Sequence, residues 1–271
     1  MVFRRQTMEK LLDFACELAR EAGRLIVEEQ HQAGSGREFK QGRELVTQAD
    51  LKADCLICER IGREFPEHLV LSEESSPDLA NVHLQTQPVW IVDPIDGTVN
   101  FAHGHRQSAV SIAWAKDSHI ELGVVYNPFT DEMFSALRGH GANLNGKTIG
   151  VSNEHELSRA LIATGFPYQK TGLKPLIRRL DAVLHNCADI RRLGSAALDI
   201  CWLACGRLDG YYETLSLWDF AAAGLIAREA GATYGHFSEL PKDAHPEFHN
   251  EDILITTPAL FEPLKRVLSE A

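Results

Sequence analysis

The sequence predicts a layered α/β protein (α+β type), because segments with helical periodicity alternate with short apolar segments typical of β-strands. No linker rich in Pro, Gly or charged residues interrupts this alternation along the 271 residues. At roughly 100–200 residues per domain, the length allows one large domain or two small ones. We therefore expect a single domain over residues 1–271, which could comprise two lobes, 1–150 and 151–271.

Two helices are predicted in the first quarter of the chain. Over residues 7–30 apolar side chains recur at spacings of three and four: Met8, Leu11, Leu12, Ala15, Leu18, Ala19, Ala22, Leu25 and Ile26. That spacing is typical of an amphipathic helix. Residues 32–38 are predicted as a loop from their composition. The second helix should begin near Thr47 and end near Arg63, because Thr47 and Asp50 fit a capping box and Pro66 follows.

Strands dominate the middle of the chain, and the second half mixes both element types. Short apolar or alternating segments predict strands at 69–71, 89–92, 108–115, 121–126, 132–137, 160–164, 209–213 and 252–256. Turn residues between the segments ending at 126 and beginning at 132 indicate a meander. Helical periodicity predicts helices at 174–185, 195–206, 218–231 and 258–268.

Composition and charge narrow the classes of function. An apolar fraction of 44% and a charged fraction of 24% exclude a disordered or collagen-like chain. The formal net charge of −11 argues against direct nucleic-acid binding, since an acidic surface repels phosphate backbones. An acidic protein that acts on an anion needs local positive charge, often from a metal. Without a long apolar run or a signal-peptide pattern, we expect a cytoplasmic protein with no membrane association.

The most informative segment is 90–101, in which an apolar strand leads directly into two aspartates. Asp93 and Asp96 are separated by Pro94-Ile95, and Gly97-Thr98 follows. Converging carboxylates repel each other unless a cation lies between them, and carboxylate oxygens favour Mg²⁺ or Mn²⁺. The N–H groups of Gly97 and Thr98 would open a short helical turn, which can bind an anion. The segment therefore predicts a metal site beside a phosphate site.

Three further acidic residues could belong to the same site, but each also has a simpler interpretation. Glu73 or Glu74, after the strand that ends at Leu71, could add a carboxylate, although adjacent glutamates are common in surface loops. Asp219 begins an Ala-rich helix, where an N-cap alone would explain it. The residues alone leave these alternatives open.

Taken together, these segments resemble the inositol monophosphatase family, within the lithium-sensitive, Mg²⁺-dependent phosphatases. The resemblance covers nearly the whole chain and depends on motifs at 45–50, 73–75, 93–101, 194–197, 211–213 and 218–219. It implies an αβαβα layered sandwich, of the kind also found in fructose 1,6-bisphosphatase, and commonly a homodimer. It also implies hydrolysis of myo-inositol 1-phosphate or a related polyol phosphate, with inhibition by Li⁺.

The resemblance further implies roles for individual residues, beginning with the metal ligands. Two to three Mg²⁺ ions are implied per subunit, with Mn²⁺ as a substitute. The first would be held by Glu73, Asp93 and the Ile95 carbonyl, and the second by Asp93, Asp96 and Asp219. The third would lie near Glu73 through water.

Catalytic and substrate-binding residues are implied in the same way. Glu73, Thr98 and Asp50 would act on the attacking water, giving direct in-line attack without a phospho-enzyme. The substrate contacts implied are Asp96, Gly97, Thr98, Gly194, Ser195, Ala196, Glu213 and Asp219. No D-x-D-x-[TV] or C-x₅-R segment occurs that would indicate a covalent phosphoryl intermediate.

Two departures from the family pattern keep other substrates open. Ser72 stands where the family often has Gly, as in the branch that acts on 3′-phosphoadenosine 5′-phosphate, and Leu217 replaces a usual Pro. Against this, Val99-Asn100-Phe101 and Glu213 favour the inositol phosphatase branch. The alternatives are a sister phosphatase for 3′-phosphoadenosine 5′-phosphate, fructose 1,6-bisphosphate or histidinol phosphate. An additional antitermination role, through binding to the transcription machinery, is a separate hypothesis.

Overall fold

The computed structural model describes residues 2–32, 37–40, 44–76, 87–167 and 172–271. The helices are α1 Val2–Gln32, α2 Gln48–Glu64, α3 Thr98–Ala102, α4 Lys174–Asn186, α5 Ala196–Ala204, α6 Leu217–Glu229 and α7 Phe261–Glu270. The first strands are β1 Arg37–Lys40, β2 Glu44–Thr47, β3 Leu69–Ser72, β4 Val89–Asp96, β5 Ala109–Lys116, β6 His119–Asn127 and β7 Glu132–Leu137. The others are β8 Ala142–Leu144, β9 Lys147–Thr148, β10 Leu161–Thr164, β11 Asp189–Arg191, β12 Gly210–Glu213, β13 Thr233–His236 and β14 Ile253–Thr256.

Two sheets and three helical layers form the predicted αβαβα sandwich. The larger sheet has the order β3-β4-β5-β6-β7-β8-β9, and β4 to β7 form the predicted antiparallel meander. Helices α1 and α2 cover one face of it, and α5 and α6 cover the other. The smaller sheet, ordered β11-β10-β12-β14-β13, packs on α5 and α6 and carries α4 and α7 on its far face. The predicted fold class is therefore confirmed.

Small residues allow α6 to lie very close to the larger sheet. Gly123 on β6 faces the α6 backbone at Ala222, and a Cβ at position 123 would lie 2.5 Å from the Ala222 carbonyl oxygen. Because that neighbour is backbone, it cannot rotate away. The Ala-rich sequence of α6 is thus explained by this close contact as well as by helix propensity.

We expect Gly123→Ala to lower the free energy of unfolding by about 1–3 kcal/mol, the usual effect of overpacking a core. The matched control is Gly62→Ala on the exposed side of α2, where a Cβ would meet nothing within 4 Å. That change should stabilise the protein by about 0.5–1 kcal/mol, because Ala is the better helix former. Urea denaturation of both variants measures the difference, and equal midpoints would contradict the packing described here.

Several elements differ from the sequence prediction, all of them short. Residues Arg37–Lys40 pair with Glu44–Thr47 as a hairpin, although residues 32–38 were expected to be loop. Strand β4 continues through Asp96 instead of ending before Asp93. Strands β11 and β13 were not predicted, since each is only three or four residues long and lacks a clear alternating pattern. None of the described helices combines the length and apolar character needed to span a bilayer.

Candidate active site

Four acidic residues reach one cavity from three different elements. Strands β3 and β4 are parallel neighbours, so their carboxyl ends meet at the same edge of the larger sheet. Glu73 directly follows β3, and Asp93 and Asp96 lie at the end of β4. Asp219 lies in the first turn of α6, where its carboxylate accepts from the Ser216 N–H at 2.8 Å. The crevice beyond such strand ends is a common place for ligands in α/β proteins.

A register shift in β4 brings its two aspartates to the same side. Residues three apart on a regular strand point to opposite faces, because side chains alternate with a period of two. Here Asp93 pairs with Ser111 but Asp96 pairs with Ala109, so β4 contains one extra residue between them. Such a β-bulge re-aims the side chains that follow it. Asp93 also accepts from the Ile95 N–H at 3.0 Å, which orients its carboxylate.

Asp93, Asp96 and Asp219 place one carboxylate oxygen each within 4.8 Å of the others. Asp93 and Asp96 are buried, and Asp219 is partly exposed to the cavity. Burial and the charges of Glu73, Asp96 and Asp219 raise the pKa of Asp93 well above its usual value. Burial, Asp96 and Glu73 do the same for the pKa of Asp219. The cluster offers carboxylate oxygens as ligands, which suit a hard divalent cation. Such a cation would remove the repulsion between the carboxylates.

The start of α3 forms the neighbouring part of the cavity. Gly97 has φ +90°, a conformation that favours glycine, and a Cβ there would lie 2.8 Å from the Gln107 carbonyl oxygen. The next residue, Thr98, lies with its hydroxyl 3.2 Å from the Asp50 carboxylate and 3.1 Å from the Ile95 carbonyl oxygen. The backbone turn at residues 97–98 therefore opens directly beside the aspartate cluster.

Asp50 lies behind Thr98 and has two sets of contacts. Its carboxylate accepts from the Thr47 N–H at 2.7 Å and from the Thr47 hydroxyl at 2.5 Å, which completes the predicted capping box of α2. It also faces the Thr98 hydroxyl. Burial outweighs these hydrogen bonds and raises the pKa of Asp50 to about 6. The cap and the contact with Thr98 are both present.

The beginning of α5 holds Asp96 in place. Ser195 caps this helix and donates its hydroxyl to the Asp96 carboxylate, and the Ala197 N–H donates to the same oxygen at 2.9 Å. Burial nevertheless raises the pKa of Asp96 to about 6, against the effect of these hydrogen bonds. Gly194, Ser195 and Ala196, all expected to contact substrate, line the cavity, but Ser195 is 1% exposed and its hydroxyl is engaged by Asp96.

Glu213 and two residues that the sequence analysis missed complete the cavity, which has a volume of about 710 Å³. Glu213 ends β12 and lines the same cavity as the aspartates. Asp199 on α5 also lines the cavity, is 2% exposed, and its Oδ1 has no hydrogen-bond partner among the described residues. Arg192 is exposed at the rim with its guanidinium over the Phe166 ring. A lone acid in the apolar α5 segment was the available signal for Asp199.

Comparison with known proteins agrees with this geometry. The sequence profile described as the inositol monophosphatase family matches residues 7–263. Nus factor SuhB of Vibrio cholerae is 41% identical over 234 residues, covering 85% of this chain and 86% of the relative. Inositol monophosphatase 3 of Solanum lycopersicum is 39% identical over 229 residues, covering 83% and 85%.

Solved structures give the same result for the fold. The extragenic suppressor protein suhB of Bartonella henselae superimposes with a TM-score of 0.88 at 34% identity, covering 97% of this chain and 99% of that one. The inositol monophosphatase of Anabaena superimposes with a TM-score of 0.82 at 33% identity, covering 98% and 97%. With the family profile and these relatives extending over most of its length, the chain belongs to the inositol monophosphatase family.

Proposed function

We propose that the protein is a Mg²⁺-dependent phosphomonoesterase that hydrolyses myo-inositol 1-phosphate or a related polyol phosphate. The observation that carries the proposal is the meeting of the Glu73, Asp93, Asp96 and Asp219 side chains at one cavity, next to the turn at Gly97. Oxygen-only ligands of this kind suit Mg²⁺, with Mn²⁺ as a substitute.

The donor groups are sufficient for two to three ions. Glu73, Asp93 and the Ile95 carbonyl would hold one, and Asp93, Asp96 and Asp219 would hold another, so Asp93 would serve both. The third would lie near Glu73. When bound, Mg²⁺ neutralises the ester oxygens, lowers the pKa of a coordinated water and stabilises the leaving oxygen.

The residues of the chain would then position the reactants and accept a proton. The N–H groups of Gly97 and Thr98, at the start of α3, would bind phosphate oxygens. The Thr98 hydroxyl can pass a proton from the attacking water to Asp50, whose raised pKa of about 6 suits a base working near neutral pH. Glu73 would orient the same water from the opposite side.

Glu213, which lines the cavity, would accept hydrogen bonds from substrate hydroxyls, with further contacts from Asp96, Asp219 and the 194–196 turn. The acidic Glu213 would repel a second phosphate group bound next to it. This disfavours fructose 1,6-bisphosphate and 3′-phosphoadenosine 5′-phosphate, which remain the alternatives together with histidinol phosphate.

A substrate panel tests the proposal. Initial rates with Mg²⁺ should be highest for inositol 1-phosphate and other polyol monophosphates, and chelation should abolish them. Faster hydrolysis of 3′-phosphoadenosine 5′-phosphate or histidinol phosphate would contradict the proposed substrate and favour the faster ester instead. Activity that survives complete removal of divalent ions would contradict the metal-dependent chemistry itself.

We also predict inhibition by Li⁺. Li⁺ is close to Mg²⁺ in size, unlike the larger Na⁺, so it can take a Mg²⁺ position. Because it is monovalent, it leaves part of the charge of the aspartate cluster uncompensated, and the site should no longer support turnover. Rates measured over a millimolar series of LiCl should fall, whereas equal concentrations of NaCl should have little effect. Equal responses to the two salts would count against a lithium-sensitive site.

The names of several relatives favour a second, compatible function. Nus factor SuhB from Vibrio cholerae and Pasteurella multocida match most of this chain. We propose that this protein is a cytoplasmic homodimer that binds the transcription machinery through protein contacts. Affinity purification from its own host should recover RNA polymerase or a transcription factor, and light scattering should give twice the 30.1 kDa chain mass. A monomer that recovers neither would contradict this second function.

A further inference from the structure

Glu213 is held by a neighbour on its own strand. Tyr211 precedes it by two residues on β12, so both side chains point to the same side of the sheet. The Tyr211 hydroxyl donates to Oε2 of Glu213, and Tyr211 itself is fully buried. Tyr211 lies on a central strand, because β12 pairs with both β10 and β14. The hydrogen bond therefore fixes the direction of the Glu213 carboxylate.

The absence of a side chain at Gly165 provides the space into which Glu213 extends. Gly165 directly follows β10, whose last residue, Thr164, pairs with Tyr212 between Tyr211 and Glu213. A Cβ at position 165 would overlap both carboxylate oxygens of Glu213. Any residue other than glycine would thus force this carboxylate to move, although the flexible side chain could do so without unfolding the protein.

A second buried acid, Asp199, lies near Glu213 and Tyr211. The Asp199 carboxylate is close enough to Glu213 for the Glu213 charge to raise the pKa of Asp199 further, beyond the effect of burial and of Asp96. Tyr211 lies near both acids. Without the Tyr211 hydroxyl, this hydrogen bond no longer restricts the rotamers of Glu213.

We propose that Tyr211 is a positioning residue that, together with the space at Gly165, fixes Glu213 as the acceptor for a hydroxyl of the substrate. The inference depends on the proposed phosphatase function and narrows its substrate class. The site selects phosphate monoesters that carry hydroxyl groups near the ester over aryl or alkyl phosphates that carry none. Tyr211 acts through Glu213 and touches neither the phosphate nor the aspartate cluster.

The experiment compares inositol 1-phosphate with 4-nitrophenyl phosphate, which has no hydroxyl for Glu213 to bind. In Tyr211→Phe, the ratio of the two kcat/KM values should fall about tenfold, the usual effect of losing a hydrogen bond to a charged group. The fall should appear mainly as a higher KM for inositol 1-phosphate. Gly165→Ala should lower the same ratio by displacing the same carboxylate.

Tyr234→Phe is the matched control, because the Tyr234 hydroxyl is buried without a hydrogen-bond partner among the described residues. It should leave the ratio unchanged. In a Glu213→Gln background, Tyr211→Phe should cause no further fall, as expected of a residue that acts through Glu213.

Two outcomes would overturn the inference while leaving the phosphatase function standing. One is an equal loss for both esters in Tyr211→Phe; the other is an undiminished effect of Tyr211→Phe in the Glu213→Gln background. If the wild-type protein with Mg²⁺ hydrolyses neither ester, the proposed function fails, and the inference fails with it.

Discussion

Asp93→Asn should fold normally and lose about a thousandfold or more in kcat at saturating Mg²⁺, because the proposed mechanism assigns several kcal/mol of transition-state stabilisation to metal ions. Asp93 is 1% exposed and lies among three other acidic side chains. The amide has nearly the same shape but no charge, so the change weakens both proposed metal positions at once. It also removes like-charge repulsion, so we expect no loss of stability in metal-free protein. Initial rates and thermal unfolding measure the two effects.

Asp54→Asn is a suitable control, since Asp54 is also a buried aspartate but does not line the cavity. Its carboxylate accepts the Ser72 hydroxyl, and an asparagine oxygen can accept the same hydrogen bond. The control should keep most of its activity. Normal turnover in folded Asp93→Asn would contradict the proposal that the Asp93 carboxylate binds two metal ions.

The sequence could predict the site residues that lie together in one segment, but not those that tertiary structure brings to them. The Asp93-Pro94-Ile95-Asp96 segment was identified because both acids follow one apolar strand. The turn expected there is a bulged continuation of β4 instead. That bulge depends on how β4 pairs with β5, which is a property of two strands 13 or more residues apart and has no signature in either strand alone.

Glu73 and Asp219 show the same limit more clearly. Each had an ordinary local explanation, and Asp219 does take part in a capping box. What makes them members of one cluster is the parallel pairing of β3 with β4 and the packing of α6 on that sheet. The resemblance to a family suggested this arrangement, whereas periodicity and spacing did not.

Asp199 and the Tyr211–Glu213 contact were missed for a different reason. A single acid in a helix and two neighbouring tyrosines are frequent in sequences, so neither pattern indicates a site. Their significance depends on burial and on orientation into the cavity, which are tertiary properties. In contrast, α1, α2 and the meander were well predicted, because their apolar periodicity extends over many residues.

The acidic cluster should make metal-free protein less stable as pH rises, and Mg²⁺ should reverse that loss. Asp96 has its pKa raised from 3.8 to about 6 in the folded protein, and the pKa values of Asp93 and Asp219 are also raised well above their usual value by burial and by neighbouring acidic groups. A carboxyl whose pKa is higher in the folded state favours folding when protonated. That contribution is fully present below about pH 4 and is lost as pH rises through about 6 and beyond.

Bound Mg²⁺ competes with the same protons, so its stabilising effect should be small at pH 5 and large at pH 8. At a concentration about 100 times its dissociation constant, a ligand adds about 2.7 kcal/mol, which corresponds to a Tm increase of roughly 5–10 °C for a protein of this size. Thermal unfolding with Mg²⁺ and with a chelator, from pH 5 to pH 8, measures the effect. Asp93→Asn should lose most of the Mg²⁺-dependent increase in Tm. It should keep the pH dependence of stability that comes from Asp50, which lies outside the cluster. An increase of the same size at both pH values would show that the ion does not replace protons on these carboxylates.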